Sequence, residues 1–255
     1  MNSHPLLSIV TVCFNDLPGL KETEKSITHS KVSPLLYEWI VVDGNSSDGT
    51  KNFLSESTAI NLFVSEKDNG IYDAMNKGTK LAKSPYVVYM NSGDTFTDLN
   101  LIIDTIKSNS FDLFFFDARF IYGKYSRIRK AKDFSYIKHG IPANHQAIIF
   151  KRESLGVAPY DTSYKICGDY KLLADLYIRH ASHLVINQTT AEFHVGGVST
   201  HRGSQLLNEA YEIQRKTLHV PQPRAFLSYL KRATSITLTL IIHRLSNVTK
   251  QNSKP

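Results

Sequence analysis

Three polar residues lie at or just beyond the ends of short apolar, β-branched runs, where a carboxylate or amide side chain could carry chemistry. These residues are Asn15, Asp43 and Asp94, and Asp94 shares its turn with Ser92 and Gly93. A carboxylate at a strand end can hold Mg2+ or Mn2+ while diphosphate oxygens supply most of the remaining ligands. Because Asn, Asp, Ser and Gly also favour turns, a purely turn-forming role for the two acids stays open at this point.

The sequence lacks the short motifs of the commonest nucleotide-binding and hydrolytic sites. It contains no GxGxxG, no GxxxxGK[ST] and no GxSxG, which removes the main support for NAD-type binding, P-loop binding and a nucleophile elbow. Cys13 and Cys167 are far apart, which argues against a disulfide scaffold and a cysteine zinc site and fits a reducing cytosol. An acid-based metal and phosphate site is the chemistry that remains.

Short β-rich runs alternate with helical patterns in the first half of the chain. Strands are predicted at 8–13, 39–43, 62–65 and 86–90, and helices at 20–29, after 44–49 and at 72–83. Strands separated by helices in this way indicate βαβ units and a mostly parallel sheet. Since ligands of such sheets bind beyond the carboxyl ends of the strands, the three polar residues lie where a ligand is expected.

The second half of the sequence is less regular. Residues 111–116 and 147–150 are predicted to be buried strands and 169–180 a helix, whereas the basic segment 124–132 is typical of a hairpin or an exposed loop. The length of 255 residues indicates one large domain, or one domain with an appendage. A composition of 42% hydrophobic and 21% charged residues is that of a globular protein and argues against disorder or a fibrous repeat.

The charge of the chain is unevenly distributed. Its formal net charge is +7, which suggests anionic binding partners such as nucleic acid, sugar nucleotides or a membrane surface. After Pro223 the sequence has basic residues and no acid, and Ile236, Leu238 and Leu240 alternate as in a strand. Two interpretations of this tail stay open, an element packed on the preceding domain and a segment associated with a membrane. No apolar stretch approaches the ~20 residues that span a bilayer, and the N-terminus lacks the features of a signal peptide.

A series of motifs, in order and with matching spacing, resembles the family 2 glycosyltransferases. They are IVTVCFN at 9–15, IVVDGNSSDGT at 40–50, SEKDNGIYDAMNKG at 65–78, YMNSGD at 89–94, HQ at 145–146, CGDYKLL at 167–173 and GGVS at 196–199. The resemblance covers about residues 6–200 and is closest to the bacterial enzymes that build O-antigen, capsule and exopolysaccharide.

The resemblance implies the GT-A fold, a Rossmann-like, mostly parallel central sheet flanked by helices. It also implies an inverting, metal-dependent transfer of a hexosyl or N-acetylhexosaminyl group from a nucleotide-sugar donor, with Mg2+ or Mn2+ as the cofactor. On this basis residues 1–222 are expected to form the glycosyltransferase domain and residues 223–255 a basic C-terminal extension.

Several residues match the positions at which family members bind the donor. Thr11 and Asn15 match the loop that approaches the nucleoside, and Asp43 matches the acid that holds the base or ribose. Many members have a second acid after it, where this sequence has Gly44; uracil is favoured over guanine as the base. The other donor-binding matches are Asp73, Asn76, Lys77, Ser92 and Gly93.

The resemblance also assigns the metal and the general base. Asp94 matches the last acid of the family's DxD motif, whose first position is Ser92 here, so metal binding is expected to depend on the donor diphosphate. His194 is a further candidate ligand of the metal or the diphosphate, with a structural role beside a glycine turn as the alternative. Asp169 matches the acid that removes the proton from the acceptor hydroxyl. Lys77 is expected to neutralise a phosphate as a point charge.

The expected partners follow from this assignment. They are a nucleotide sugar, a glycan acceptor linked to a polyprenyl diphosphate and a membrane surface contacted by the C-terminal tail, with no nucleic acid. The expected location is peripheral, at the inner face of the cytoplasmic membrane.

Two other function classes stay open. A sugar-nucleotide nucleotidyltransferase would need a glycine-rich motif after the first strand, and residues 13–19 at that place do not fit such a motif. A non-catalytic module for nucleic acid or membranes would use the basic and aromatic segment 122–130.

Overall fold

The computed structural model describes residues 5–195, 203–234 and 237. Within these residues strands and helices alternate around one mixed sheet of nine strands. The strands are β1 Leu7–Cys13, β2 Tyr37–Asp43, β3 Leu62–Ser65, β4 Tyr86–Tyr89, β5 Thr95–Phe96, β6 Leu113–Tyr122, β7 Tyr125–Arg129, β8 Ile148–Lys151 and β9 His183–His194. The helices are α1 Leu17–Thr28, α2 Thr50–Glu56, α3 Ile71–Leu81, α4 Leu99–Ser108, α5 Arg152–Leu155, α6 Gly168–Ile178, α7 Gly203–Glu212 and α8 at 222–234.

Strands β3, β2, β1 and β4 lie side by side in that order and are all parallel. Every residue of β1 is buried, because neighbouring strands cover its edges and helices cover the faces of the sheet. Cys13 is in register with Asp43, and Val10 with Tyr89. The carboxyl ends of β1, β2 and β4 therefore meet at one edge, and the predicted parallel sheet is confirmed.

The remaining strands extend this sheet with mixed pairing. Strand β8 pairs antiparallel with β4 and with β6, whereas β6 pairs parallel with β9. Strands β6 and β7 form a hairpin whose turn contains Gly123 at a φ of 61°, so the basic segment is a hairpin. Strands β5 and β9 and helix α4 have no counterpart in the sequence-based prediction.

Two apolar cores cover the two faces of the sheet. One contains Val10 and Met75, and the other contains Ile9 and Leu20. Helix α3 approaches β1 closely because Gly78 has no side chain, and a Cβ at this position would overlap the Val10 side chain. This close approach fixes the position of α3, which carries three of the predicted site residues.

Helix α1 begins at Leu17 rather than at the predicted Leu20. The Asp16 side chain caps the helix by accepting a hydrogen bond from the Gly19 N–H, and Pro18 fits the first turn, where no backbone donor is needed. The Asn-Asp-Leu-Pro-Gly segment resembles a turn in the sequence, but its second half is the first turn of the helix.

The described part of the predicted C-terminal tail packs on the chain before it. Helix α7 continues into a π-helical turn, Ile213–Thr217, and Ala225 of α8 is fully buried. Arg232 donates a hydrogen bond to the His139 carbonyl at 2.9 Å. The strand-like alternation at 236–240 lies outside the described residues, apart from Thr237. Among the described residues, no helix combines the length and the apolar character needed to cross a bilayer.

Candidate active site

The loop after β1 is joined to the loop after β2 by side-chain hydrogen bonds. Asn15 has a φ of 49°, a conformation that Asn adopts more readily than most residues. Its side-chain oxygen accepts a hydrogen bond from the Ser47 N–H at 2.8 Å, and its own N–H donates to Ser46 Oγ at 2.7 Å. The predicted donor-binding residue Asn15 therefore lies beside the loop that follows Asp43.

Asp43 is completely buried at the end of β2. Its carboxylate accepts hydrogen bonds from the Ser46 N–H and hydroxyl, and from the Ser65 hydroxyl at 2.7 Å. These bonds order the loop over the end of the strand. Because the carboxylate has no exposed surface, a nucleoside can contact it only by displacing one of these groups.

Two residues that the sequence did not reveal lie beside this loop. Phe14 is 65% exposed, and the Asp68 carboxylate approaches from the segment before α3. A Cβ at Gly44 would lie 2.7 Å from Asp68 Oδ2 and 3.1 Å from Phe14 Cδ2. The absence of a side chain at Gly44 therefore makes room for an acid and an aromatic ring. The glycine at this position, where family members often have an acid, was the sequence signal that could have found them.

Thr11 lies within β1 and faces the interior. Its Oγ1 accepts a hydrogen bond from the Trp39 indole N–H at 2.9 Å, and both residues are fully buried. A buried indole N–H requires an acceptor. The Thr11 side chain therefore supports the sheet and has no surface at the edge where the loops meet.

Helix α3 carries three predicted donor-binding residues that point in different directions. Lys77 Nζ lies 2.8 Å from Glu66 Oε1 and 3.7 Å from Asp73 Oδ2, and the hydrogen bond with Glu66 raises the pKa of Lys77. Asn76 Nδ2 donates to the Tyr160 carbonyl at 2.8 Å, and Asn76 Oδ1 accepts from the Tyr160 N–H at 2.9 Å. Asp73 and Lys77 thus share a polar network, whereas Asn76 fixes a distant stretch of backbone.

Ser92 and Gly93 anchor the turn after β4 to helix α1. The Ser92 hydroxyl donates to Asp16 Oδ2 at 2.9 Å, and the Gly93 N–H donates to Thr23 Oγ1 at 3.1 Å. Gly93 has a φ of 87°, in the left-handed region that glycine adopts without strain. These contacts position Asp94, the next residue in the turn.

Asp94 is a buried carboxylate with two hydrogen-bond donors. Oδ2 accepts from Gln146 Nε2 at 2.8 Å, and Oδ1 accepts from the His194 N–H at 3.0 Å. Burial raises the pKa of Asp94 to about 7 against the effect of these bonds, and the nearby Asp16 charge adds to the rise. A cation bound at this carboxylate would favour the ionised form and lower the pKa again.

Of the two predicted metal ligands, His194 contacts Asp94 through its backbone N–H and not through its side chain. His194 is an exposed residue. Buried Gln146 Oε1, beside Asp94, has no hydrogen-bond partner among the described residues. Nowhere in that part of the chain is a group of three or more His, Cys, Asp or Glu side chains arranged to hold a metal. Mg2+ or Mn2+ would therefore find one carboxylate and one amide oxygen, a partial fit that needs donor diphosphate oxygens to complete it.

Asp169 lies half-buried in the first turn of α6. Its Oδ1 accepts a hydrogen bond from the Tyr170 N–H at 2.7 Å, and the Tyr72 hydroxyl lies 3.4 Å from the same atom. Burial raises the pKa of Asp169 to about 6, and these two donors and the Arg129 charge limit the rise. A carboxylate of this kind is mostly ionised at neutral pH and is more basic than an ordinary Asp, which suits proton abstraction.

An aromatic cluster supports the start of α6. The ring of Tyr72 stacks on Tyr160 with centroids 5.4 Å apart, and its hydroxyl donates to the Ile166 carbonyl at 2.6 Å. A Cβ at Gly168 would lie 2.7 Å from the Tyr72 ring, so only glycine allows this approach without rearrangement. His145 Nε2 is bonded to the Tyr160 hydroxyl at 2.8 Å, and burial lowers the pKa of His145 to about 3, which keeps the ring neutral.

Comparison with known proteins assigns the family. The model of glycosyl transferase family 2 matches residues 8–168, more than half of the chain. The chain belongs to glycosyl transferase family 2. It is 29% identical over 214 residues to an uncharacterised glycosyltransferase of Mycobacterium tuberculosis, covering 79% of this chain and 80% of that protein. It is 24% identical over 247 residues to a PGL/p-HBAD biosynthesis glycosyltransferase of Mycobacterium bovis, covering 93% of this chain and 89% of that protein.

Solved structures share the fold of this family 2 glycosyltransferase. S. aureus TarS 1–349 in complex with UDP matches with a TM-score of 0.67 at 16% identity, over 85% of this chain and 66% of the TarS chain. The mannosyltransferase PcManGT from Pyrobaculum calidifontis, in complex with GDP-Man and Mn2+, matches with a TM-score of 0.63 at 14% identity, over 99% and 76%. The predicted GT-A fold is confirmed.

A double-mutant cycle tests whether Thr11 serves the fold or the donor. Thr11→Val leaves the buried Trp39 N–H without an acceptor, so we expect the free energy of unfolding to fall by about 1–3 kcal/mol. Combined with Trp39→Phe, the loss should be about 1 kcal/mol smaller than the sum of the single losses, measured by urea denaturation. Donor binding by Thr11→Val should match that of the wild type. Weakened donor binding with unchanged stability would instead assign Thr11 to the donor site.

Proposed function

We propose that this family 2 glycosyltransferase is an inverting enzyme that transfers a hexosyl or N-acetylhexosaminyl group from a UDP-sugar to a hydroxyl of a glycan acceptor. The acceptor would be carried on a polyprenyl diphosphate during synthesis of a bacterial surface polysaccharide such as O-antigen. The observation that carries the proposal is Asp169, a half-buried carboxylate with a raised pKa at the start of a helix.

Asp169 is proposed as the general base. In a single displacement the acceptor hydroxyl attacks the anomeric carbon opposite the leaving nucleoside diphosphate and must lose a proton. Asp169 Oδ1 is fixed by the Tyr170 N–H and faces the Tyr72 hydroxyl, whereas Oδ2 accepts no hydrogen bond from the described residues. Oδ2 is therefore the atom proposed to receive the proton, and Oδ1 holds the group in orientation.

The joined loops after β1 and β2 are the proposed nucleoside site. The exposed ring of Phe14 offers a surface on which a base can stack, and Asn15 and Asp43 order the polar loop beside it. Solved complexes of TarS contain UDP and UDP-GlcNAc, which supports uracil as the base. The PcManGT complex contains a guanine nucleotide, which makes guanine the competing base. A panel of donors would distinguish the two bases.

Lys77 and Asp73 are proposed to face the donor phosphates and sugar. Lys77 is paired with Glu66, whose side chain is 58% exposed. An exposed ion pair of this kind contributes little free energy. Lys77 can therefore exchange Glu66 for a phosphate group at a small cost in free energy. Asn76 is proposed to act through the Tyr160 backbone that it holds.

Mg2+ or Mn2+ is the proposed cofactor, with Asp94 as its protein carboxylate ligand and Gln146 Oε1 as the adjacent unpartnered oxygen. When bound, the cation would neutralise charge on the leaving diphosphate. The His194 imidazole is the second candidate ligand, for the metal or for the diphosphate. The chain itself provides the turn that holds Asp94 against Gln146.

Asp169→Asn tests the base in an assay of nucleotide release. The donor is first identified from a panel of UDP-, GDP- and dTDP-sugars with Mg2+ or Mn2+. The Asn side chain keeps the shape but cannot take the proton, so we expect turnover to fall about 100- to 10,000-fold with donor affinity nearly unchanged. Because the base acts only when ionised, the wild-type rate should also fall about tenfold for each pH unit below about 6.

The control is Asp175→Asn on the same helix, which removes only an ion pair with Lys171 and should keep both the rate and its pH dependence. Turnover by Asp169→Asn at the wild-type rate would refute the assignment and direct attention to Asp161, the nearest acid that precedes it in sequence. Absence of nucleotide release from every donor with the wild-type chain would refute the proposed function itself.

Asp94→Asn tests the metal. The substitution removes the negative charge while keeping an oxygen for one of the two donors, so the fold should be retained. We expect the gain in donor affinity on adding Mg2+ or Mn2+ to fall by at least about 10- to 100-fold, the loss seen when a partner of a metal ligand is changed, when measured by calorimetry. Asp98→Asn, which changes only the cap of α4, is the control. A metal response equal to that of the wild type would exclude Asp94 as the ligand.

We also propose that the C-terminal tail contacts the membrane. The exposed side chains of α8 support this proposal. Ala225 faces the protein and is buried, whereas Phe226, Leu227 and Leu230 are 54%, 68% and 46% exposed. Basic residues accompany these apolar side chains along the tail. Apolar side chains that insert at the headgroup boundary, with basic residues near anionic lipids at about 1 kcal/mol each, give peripheral binding.

Leu227→Ser with Leu230→Ser tests this surface. Each substitution removes an exposed apolar side chain, and we expect partitioning onto anionic vesicles to weaken by about tenfold or more. The control is Leu35→Ser with Val157→Ser, which removes apolar residues that are at least as exposed, 69% and 70%, from other parts of the surface. Equal vesicle binding by the two double variants would contradict a membrane role for α8.

A further inference from the structure

Beside the base lies a cation that the proposed mechanism does not use. Arg129 at the end of β7 is half-buried, and its charge is close enough to lower the pKa of Asp169. Its Nη2 donates to the Ile141 carbonyl at 2.8 Å, while the guanidinium carries five N–H groups in all. Burial lowers the pKa of Arg129, whereas the charges of Tyr136 and Asp169 raise it.

A second cation lies a short distance along the chain. Lys132 Nζ is 3.6 Å from the centroid of the Tyr136 ring. Burial acts to raise the pKa of the Tyr136 phenol, but the Lys132 ammonium and the charges of Lys231 and Arg129 outweigh it and lower the pKa. Lys132 therefore contacts the Tyr136 ring directly, and the charges of Arg129 from β7 and Lys231 from α8 act on the same phenol.

This group of residues is joined to the start of α6 by direct contacts. The Tyr170 hydroxyl donates to the Ile137 carbonyl at 2.6 Å, beside Tyr136. Arg232 lies 5.5 Å from the centroid of the Tyr170 ring and donates to the His139 carbonyl at 2.9 Å. Since Tyr170 follows Asp169 directly, the cations border the acceptor side of the base.

Asp169 offsets part of the Arg129 charge, but the cations of this region lack ion-pair partners in the described part of the chain. Among the described residues, none of Arg129, Lys132 and Lys231 forms an ion pair with a carboxylate. Asp133 is adjacent in sequence, but its carboxylate binds Ser135 and His183. The remaining residues, 1–4, 196–202, 235–236 and 238–255, include no Asp or Glu. A cluster of like charges is costly unless an anion binds there.

We propose that Arg129, Lys132 and Lys231, arranged around Tyr136 beside Asp169, bind a phosphate or diphosphate group of the acceptor. The inference rests on the proposed function, because it places the acceptor next to Asp169, the proposed general base. A planar guanidinium, two ammonium groups and a phenol together offer the donors that a multiply charged phosphate accepts. Lys231 belongs to α8, so the helix proposed to contact lipid also contributes to the acceptor site.

Two sources of this phosphate are chemically alike, a lipid headgroup and a phosphate of the glycan. Binding is therefore measured by calorimetry at fixed ionic strength, without divalent metal, with three probes. They are a short-chain prenyl diphosphate in neutral detergent micelles, inorganic pyrophosphate, and the corresponding prenyl alcohol in the same micelles. Tighter binding of the prenyl diphosphate than of pyrophosphate supports the lipid source, and equal binding supports a phosphate on the glycan.

The test variant is Lys132→Gln with Lys231→Gln, both at exposed residues whose replacement should leave the fold intact. We expect its affinity for both phosphate probes to fall about tenfold or more, the size of a lost contact to a charged group. The control, Lys80→Gln with Lys107→Gln, removes two exposed lysines of α3 and α4 and should bind both probes as the wild type does. Arg129→Lys, which keeps the charge but loses the planar fork, should also weaken binding.

Several outcomes would overturn the inference. They are absence of phosphate binding by the wild type, equal affinities of the two double variants, and binding of the prenyl alcohol as tight as that of the diphosphate. Nucleotide release from the sugar donor is followed in parallel with the wild type and the control variant. Loss of donor turnover with phosphate binding intact would count against the proposed function and not against the cation site.

Discussion

Parallel pairing of β1 with β2 and β4 is the constraint on which the rest of the structure depends. Because β1 is buried along its whole length, polar side chains with access to a ligand have to lie beyond its end. The carboxyl ends of the three strands meet at one edge, and there Asn15, Asp43 and Asp94 are collected from segments far apart in sequence. The hydrogen bonds of Asn15 to the β2 loop and of Ser92 to Asp16 then hold these loops in place.

Burial of carboxylates is the cost of building the site. Asp43 is satisfied by three hydrogen bonds from two serines, whereas the pKa values of Asp94 and Asp169 are raised to about 7 and about 6 by burial. A carboxyl group with a raised folded-state pKa loses its stabilising contribution as the pH rises from about 4 through that value. At neutral pH Asp169 is therefore mostly ionised and Asp94 about half ionised, in a form that burial disfavours and that a bound cation would stabilise.

Charge is distributed unevenly over the proposed site. Acids lie at the ends of β2 and β4, where a nucleotide and a metal are proposed to bind, and the cations that act on Tyr136 belong to the region that adjoins Asp169. Helix α8 connects this region with an apolar surface, because Arg232 contacts the Tyr170 ring and the His139 carbonyl while Leu227 and Leu230 are exposed. In the proposed function, one helix thereby links recognition of the acceptor to contact with the membrane that carries it.

The sequence by itself determined the alternation of strands and helices, the parallel sheet, and the placement of Asn15, Asp43 and Asp94 at strand ends. These properties follow from local periodicity, and the ordered motifs were sufficient to indicate the family. Only the tertiary structure decided which atoms each side chain meets. It turned Thr11 inward to the Trp39 indole and brought Arg232 to the His139 carbonyl, 93 positions earlier in the chain. The direction of a side chain and the partners around it depend on strand register and helix packing, which are set by contacts between segments distant in the chain.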